Sequence, residues 1–303
     1  MTKVGQKPLS WKYDHGATSQ VKSEIQYFPA DGGDIRTHPP RRYDMRDPAT
    51  AGAGGSIAAT TIRDARRAVD TGLEKSGFEL IQRSTTVSNF LNNEEVMAVY
   101  YEECKTLAKE LTGASLAFTY DHLIREPDRQ ISGGGTDGQS YVTGIEAGGG
   151  YIGTAHMDYT DNTTWSNYLA LHNEQPPKAP RKVISLNFWR GLSSIVDDYP
   201  LGVCDARTVK ESDLFETVVY GYGASNYSWH NIGIETFSVK YSKDQRWFYY
   251  PQMRPDEVLV FKAYDSAGVI GSACPHSAFS NPSADPQSPA RRSIELRVLC
   301  FVT

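Results

Sequence analysis

The chain has 303 residues, 39% of them apolar and 22% charged, with a net charge of −5 and a pI near 5.8. That balance lacks the basic patch of a nucleic-acid binder and the polybasic stretch of a membrane-surface protein. No apolar run approaches the roughly 18–20 residues of a membrane span, and Met1–Pro8 lacks the apolar core of a leader. The four cysteines (Cys104, Cys204, Cys274, Cys300) form no CxxC pair, which points to a reduced, cytoplasmic setting.

In chain order, residues 1–60 read as an irregular N-terminal arm with short extended pieces, of which Glu24–Phe28 alternates well enough for a strand. Residues 61–303 read as one large β domain with helical support over 61–112. A helix is predicted over Ile62–Lys75, followed by Gly77. A stronger one is predicted from Asn93 to Leu111, where Val96, Val99, Tyr100, Leu107 and Leu111 share a 3.6-residue face and Gly113 ends the run. Ser115–Tyr120 reads as a strand. Residues 132–150 carry eight glycines in nineteen positions, which suits either a mobile lid or a plain insertion.

From Tyr151 onward strand-like runs dominate, at 151–158, Val183–Trp189, Phe215–Tyr222, Thr236–Tyr241, Trp247–Tyr250, Val258–Tyr264 and Ser293–Val302. Trp165–His172 reads as a short helix. Helices first and strands afterwards predict a mainly β fold with flanking helices, a single barrel or sandwich. The 18 Tyr, 11 Phe and 5 Trp suit an organic-ligand pocket as well as a β-rich core.

The candidate chemistry begins at Tyr151–Thr160, where His156 and Asp158 stand two apart and would share one face of a strand. An imidazole and a carboxylate aimed at one point suit a 2-His-1-carboxylate iron site. Alone the triplet is weak. Seven histidines and 36 acidic residues make about one such triplet expected by chance, and His172-Asn-Glu174 is a second. A third ligand must come from a distant strand, and His172, His230 and His276 are the candidates. His172 precedes Pro176 and Pro177, and His230 lies in a polar stretch. His276 is followed by Arg291 and Ser293, two apart and in phase with Glu295 and Arg297, whereas Ile294, Leu296 and Val298 take the other face. An arginine fork beside a hydroxyl would hold the distal carboxylate of 2-oxoglutarate. The order His-x-Asp, distant His, Arg-x-Ser is much less probable by chance than the triplet.

Several stretches then resemble a known family. They are Thr112-Gly-Ala114, Tyr120-Asp-His-Leu-Ile-Arg125, Ala155-His-Met-Asp-Tyr159, Leu186-Asn-Phe-Trp-Arg190 and Tyr199-Pro-Leu-Gly-Val-Cys-Asp205. Further on come Asp256-Glu-Val-Leu-Val-Phe-Lys262 with Tyr264-Asp-Ser266, His276-Ser-Ala-Phe279 and Arg291-Arg-Ser-Ile-Glu-Leu-Arg297. The chain resembles the fungal and bacterial natural-product hydroxylase/desaturase family of non-haem Fe(II), 2-oxoglutarate-dependent oxygenases.

The resemblance implies a double-stranded β-helix (jelly-roll, cupin-like) core, with iron held by His156, Asp158 and His276. It implies Arg291 and Ser293 as the cosubstrate anchor, with Arg292 and Arg297 as alternatives; Asn187 and Trp189 share a strand face and suit a cosubstrate or substrate contact or plain core packing. It further implies Fe(II), 2-oxoglutarate and dioxygen as cofactors, with ascorbate as a reductant in vitro. The reaction would oxidise an unactivated C–H of a small secondary metabolite by hydroxylation, desaturation, ring formation or endoperoxidation.

Other sites have blander readings. His122 fits a hydrogen-bonded core histidine or a group approaching the iron pocket, Phe118 and Tyr120 fit the core or a substrate contact, Arg190 fits a structural role, and Asp205 fits a turn. Three other classes stay open: an iron oxidase with the same triad but no 2-oxoglutarate, a cupin-like metal-dependent isomerase or binding protein, and a methyltransferase. The last lacks a Gly-x-Gly-x-Gly after an early strand. The partner expected is a small natural-product substrate, not nucleic acid or membrane. Oligomeric state is open, a homodimer that exchanges residues 1–60 being one arrangement.

Overall fold

The computed structural model describes residues 19–29, 41–44, 55–126, 130–135, 140–144, 151, 153–160, 180–221, 233–268 and 270–303. The expected helix over Trp165–His172, the His172-x-Glu174 triplet and His230 lie outside them, as does the Tyr120 side chain.

In chain order the strands are β1 (Gln20–Tyr27), β2 (Arg41–Asp44), β3 (Ser56–Asp64), β4 (Phe78–Gln82), β5 (Leu116–Arg125), β6 (Gln130–Gly135), β7 (Ser140–Gly144) and β8 (His156–Met157). They continue with β9 (Lys182–Gly191), β10 (Leu201–Cys204), β11 (Leu214–Tyr220), β12 (Ile234–Val239), β13 (Trp247–Tyr249), β14 (Glu257–Asp265), β15 (His276–Ala278) and β16 (Ser293–Val302). One sheet runs β1-β3-β13-β10-β15-β8-β12-β11-β2, and the other runs β4-β14-β9-β16-β5-β6-β7. The two face each other as a double-stranded β-helix, the jelly-roll expected from the sequence.

Alternation along β9 and β16 explains how one strand serves two cores. On β16, Ile294, Leu296, Val298, Cys300 and Val302 pack outward against the helix, whereas Leu299 and Phe301 join the apolar core between the sheets. On β9, Ile184, Leu186 and Phe188 face outward and Val183 and Trp189 inward. Both faces are covered, so both strands are buried along nearly their whole length.

The helical cover is one run: a first turn at Asn93–Glu95, a π-helical stretch at Val96–Tyr100, and α1 (Tyr101–Thr112). The Asn92 side chain accepts from the amides of Glu94 and Glu95 at its start. Gly113 closes it with φ 69°, a left-handed conformation that glycine adopts without strain. Its buried stripe is Val96, Tyr100, Tyr101, Cys104, Leu107 and Ala108.

The helix expected over Ile62–Lys75 does not form. Ile57, Thr60, Thr61 and Ile62 lie in β3, paired antiparallel with β1 and in parallel with β13. β-Branched residues lose side-chain freedom in a helix and pack well on a pleated surface. Asp64 then caps a single 3-10 turn, Ala65–Arg67. Within residues 1–60 the described strands β1, β2 and the start of β3 belong to the larger sheet, and β1 contains most of the extended piece expected at Glu24–Phe28. Within 132–150, the end of β6 and all of β7 form a hairpin on the smaller sheet.

Candidate metal centre

His156 and His276 face each other across neighbouring strands, β8 and β15, as a directly paired couple. Their ring centroids are 4.3 Å apart. Asp158, two residues past His156, turns onto the same face and brings one oxygen, Oδ1, to 3.5 Å from Nε2 of each histidine. The three ligand atoms lie within 4.8 Å of one another, the one such group among the described residues.

The donor set fits a divalent metal. His156 Nδ1 lies 2.7 Å from Thr154 O and His276 Nδ1 lies 3.3 Å from Cys274 O. A carbonyl only accepts, so each Nδ1 carries the hydrogen and each Nε2 lone pair points at the other two groups. Burial works against a charge on Asp158, but His276, Arg297 and His156 together hold its carboxyl well below the usual range. Burial and the neighbouring His156 push His276 down to about 4. His156 also loses by burial, yet the Asp158 carboxylate raises it overall.

The opposite sheet supplies the second layer. Asn187 on β9 and Arg297 on β16 are cross-strand partners, and both face Asp158. Asn187 Nδ2 donates to Asp158 Oδ2 at 2.6 Å, and Arg297 Nε lies 3.5 Å from the same oxygen. Arg297 Nη2 in turn pairs with Glu295 at 2.7 Å. Asn187 Oδ1 and Ser185 Oγ, on the same face of β9, are buried without a partner among the described residues.

One turn of chain before β16, Arg291 is almost completely buried. Its Nε donates to Ser293 Oγ at 3.1 Å and its Nη1 to Tyr199 O at 2.8 Å. It makes no ion pair among the described residues. Burial first, then the nearby Arg125, pull its guanidinium down to about 9. Arg292 points away and pairs with Glu126 at 2.8 Å. The structure therefore places Arg291, Ser293, Trp189 and Asn187 on the inner side with the His156–Asp158–His276 group. It assigns the three arginines different surroundings.

The neighbouring polar residues behave as core groups. His122 Nδ1 lies 3.0 Å from Tyr101 Oη and its Nε2 lies 3.2 Å from Asn93 Oδ1, away from the centre. Arg190 donates to Tyr100, Arg83 O and Pro255 O. Asp205 caps a 3-10 turn and pairs with Arg207 and Arg246. Phe118 packs edge-on against Phe301. Sequence reasoning missed the Arg297–Asp158 contact and the aromatic rings around Arg291. The signal for the first was present, since Arg297 is in phase with Arg291 and Ser293.

A family described as an oxidoreductase/YMDC permease-like domain matches residues 31–301. The hydroxylase/desaturase efuI of Hormonema carpetanum is 33% identical over 255 residues, covering 76% of this chain and 78% of that protein. The chain belongs to the hydroxylase/desaturase family of fungal natural-product oxygenases. Another relative, the alpha-ketoglutarate-dependent dioxygenase phiK of a fungal species, is 27% identical over 236 residues, 77% of this chain and 80% of that one. Among solved structures, the iron and alpha-ketoglutarate-dependent endoperoxidase NvfI superposes with a TM-score of 0.76. It is 24% identical and covers 94% of this chain and 99% of that one, a likeness that carries the fold. Among the described residues, no helix is long and apolar enough to cross a membrane.

Proposed function

We propose that this protein is an Fe(II)- and 2-oxoglutarate-dependent dioxygenase that oxidises an unactivated C–H of a small secondary metabolite. The observation that carries the reading is the convergence of His156 Nε2 and His276 Nε2 on one oxygen of Asp158, with both Nδ1 atoms tied to backbone carbonyls. His156, Asp158 and His276 would hold the metal. Bound there, Fe(II) with 2-oxoglutarate supplies the means to activate dioxygen, with succinate and carbon dioxide as by-products.

The chain's own residues do the rest. Asn187 and Arg297 hold Asp158 Oδ2, which leaves Oδ1 for the metal side. Arg291, with Ser293 beside it, offers a buried guanidinium without an ion-pair partner among the described residues, suited to the distal carboxylate of 2-oxoglutarate. The apolar core between the sheets keeps water from the reacting carbon.

The same-triad oxidase that does not use 2-oxoglutarate is the reading to separate. Purified protein reconstituted with Fe(II) is incubated with 2-oxoglutarate and candidate metabolites, and succinate is measured against substrate consumed. A one-to-one yield is the expected result. Substrate oxidation without succinate would replace this reading with the oxidase. Asp158→Ala should lose iron retention and turnover together.

A further inference from the structure

Tyr151 opens the segment that carries His156 and Asp158, yet its side chain is committed to a residue 140 positions away. Its hydroxyl donates to Arg291 O at 2.7 Å, and Arg291 Cζ lies over its ring at 4.5 Å from the centroid. The Trp189 ring receives the same guanidinium at 5.0 Å. Tyr151 also stacks on Tyr199, with centroids 5.1 Å apart and planes 29° apart, and the Tyr199 carbonyl accepts from Arg291 Nη1. Trp189 and Arg291 are buried, whereas Tyr199 is 39% exposed. A line of contacts thus runs from a buried indole, through the guanidinium and Tyr151, to the surface.

The Arg291 guanidinium makes no ion pair among the described residues, and although the Asp198 and Glu295 charges act on it, it needs compensation for its lost hydration. A protein carboxylate would supply it but would compete with an incoming anion. An aromatic face stabilises a desolvated cation and brings no hydrogen-bond acceptor of its own. It also restrains a long side chain before binding, which removes part of the ordering cost from the binding step. Ser293 and Tyr199 O, both neutral, take only two of the five N–H donors an arginine carries.

We propose that Tyr151 is a positioning residue that holds the Arg291 guanidinium charged, oriented and available for the distal carboxylate of 2-oxoglutarate, with Trp189 as the second ring. This rests on the assignment of Arg291 as cosubstrate anchor. The hydroxyl and the ring act separately: the hydroxyl fixes the Arg291 backbone, and the ring offsets its charge.

The test compares Tyr151→Phe, Tyr151→Trp and Tyr151→Leu in the Fe(II)-loaded protein. One readout is the KM for 2-oxoglutarate from succinate formation. The other, taken under argon, is the rise in melting temperature on adding 2-oxoglutarate. Tyr151→Leu should raise the KM roughly 10- to 30-fold and remove most of the thermal shift. Its kcat at saturating 2-oxoglutarate should fall by less than about threefold, and the KM for the organic substrate should hold. Tyr151→Phe and Tyr151→Trp each keep a ring and lose the hydroxyl, so each should raise the KM by about threefold. If Tyr151→Leu does not fold, Tyr151→Met, similar in volume but without a π face, takes its place. Wild-type KM and thermal shift in the Leu or Met variant overturn the proposal, as does a loss of kcat at unchanged KM. A wild-type protein that makes no succinate and is not stabilised by 2-oxoglutarate removes the proposed function and this role with it. Responsive wild type with unaffected Tyr151 variants removes this role alone.

Discussion

Asn187 Nδ2 lies 2.6 Å from Asp158 Oδ2, while the other oxygen of the same carboxylate faces both histidines at 3.5 Å. That amide, with Arg297 on the same oxygen, leaves Oδ1 facing the histidines, where a metal would sit. Replacing Asn187 with Ala should weaken metal retention by roughly 10- to 100-fold with the fold intact. Competition against a chelator, followed by metal analysis of the protein fraction, measures it. Undiminished retention would remove Asn187 from the support of the centre.

Arg291 and Arg297 share a face but not a task, and their variants should separate. Arg291→Lys replaces a planar fork with a point charge, so the KM for 2-oxoglutarate should rise by at least about tenfold with metal retention unchanged. Arg297→Gln strips a cation from between Asp158 and Glu295 and leaves a buried carboxylate unpaired. Its cost should be about 3 kcal/mol of folding stability, together with weaker metal retention. Denaturant unfolding and cosubstrate titration of the two variants would expose an exchange of roles.

Acid should weaken the fold through His122. Burial pushes its pKa from 6.5 down to about 4, so the unfolded chain binds a proton that the folded chain refuses. Where the unfolded state binds more protons, stability rises with pH. The neutral histidine therefore costs nothing above about pH 6.5, and the penalty grows as pH falls through that value to about 4. There it levels at about 3 kcal/mol. A His122→Gln variant should show a flatter stability profile across this window. Unfolding midpoints at pH 7 and pH 4.5 make the comparison.

Gly77 should tolerate no side chain. Its φ is +85°, and a Cβ there would stand 2.6 Å from Cys274 Sγ and 2.8 Å from Ser272 O. Gly77→Ala combines left-handed strain with overpacking and should cost at least about 2 kcal/mol. Because Cys274 O holds His276 Nδ1, the same change should lower metal retention. Thermal unfolding and metal analysis together test both effects.

The strands around the site are legible in the sequence because alternation fixes which side chains share a face. Asn187 with Trp189, and Arg291 with Ser293 and Arg297, fall inward as their spacing requires. The roles of the arginines are not legible, since period 2 says which way a side chain points and not what it meets. Ile62–Lys75 misleads for another reason. Ile62–Asp64 ends β3, paired with β1 and β13, and such pairing overrides local helical spacing. The pairing of Tyr151 with Arg291 spans 140 positions, beyond any local pattern.

On the proposed ligand set, the His156–His276 pairing across β8 and β15 would also set when the protein can first take up a metal during its synthesis. Asp158 and His156 emerge from the ribosome well before His276, and Arg297, which steadies Asp158, comes later still. Closing so long a loop is slow relative to local folding. A nascent chain stalled between β14 and β15 would have most of its strands but a two-ligand centre. Metal occupancy in a cell would then count finished molecules rather than started ones.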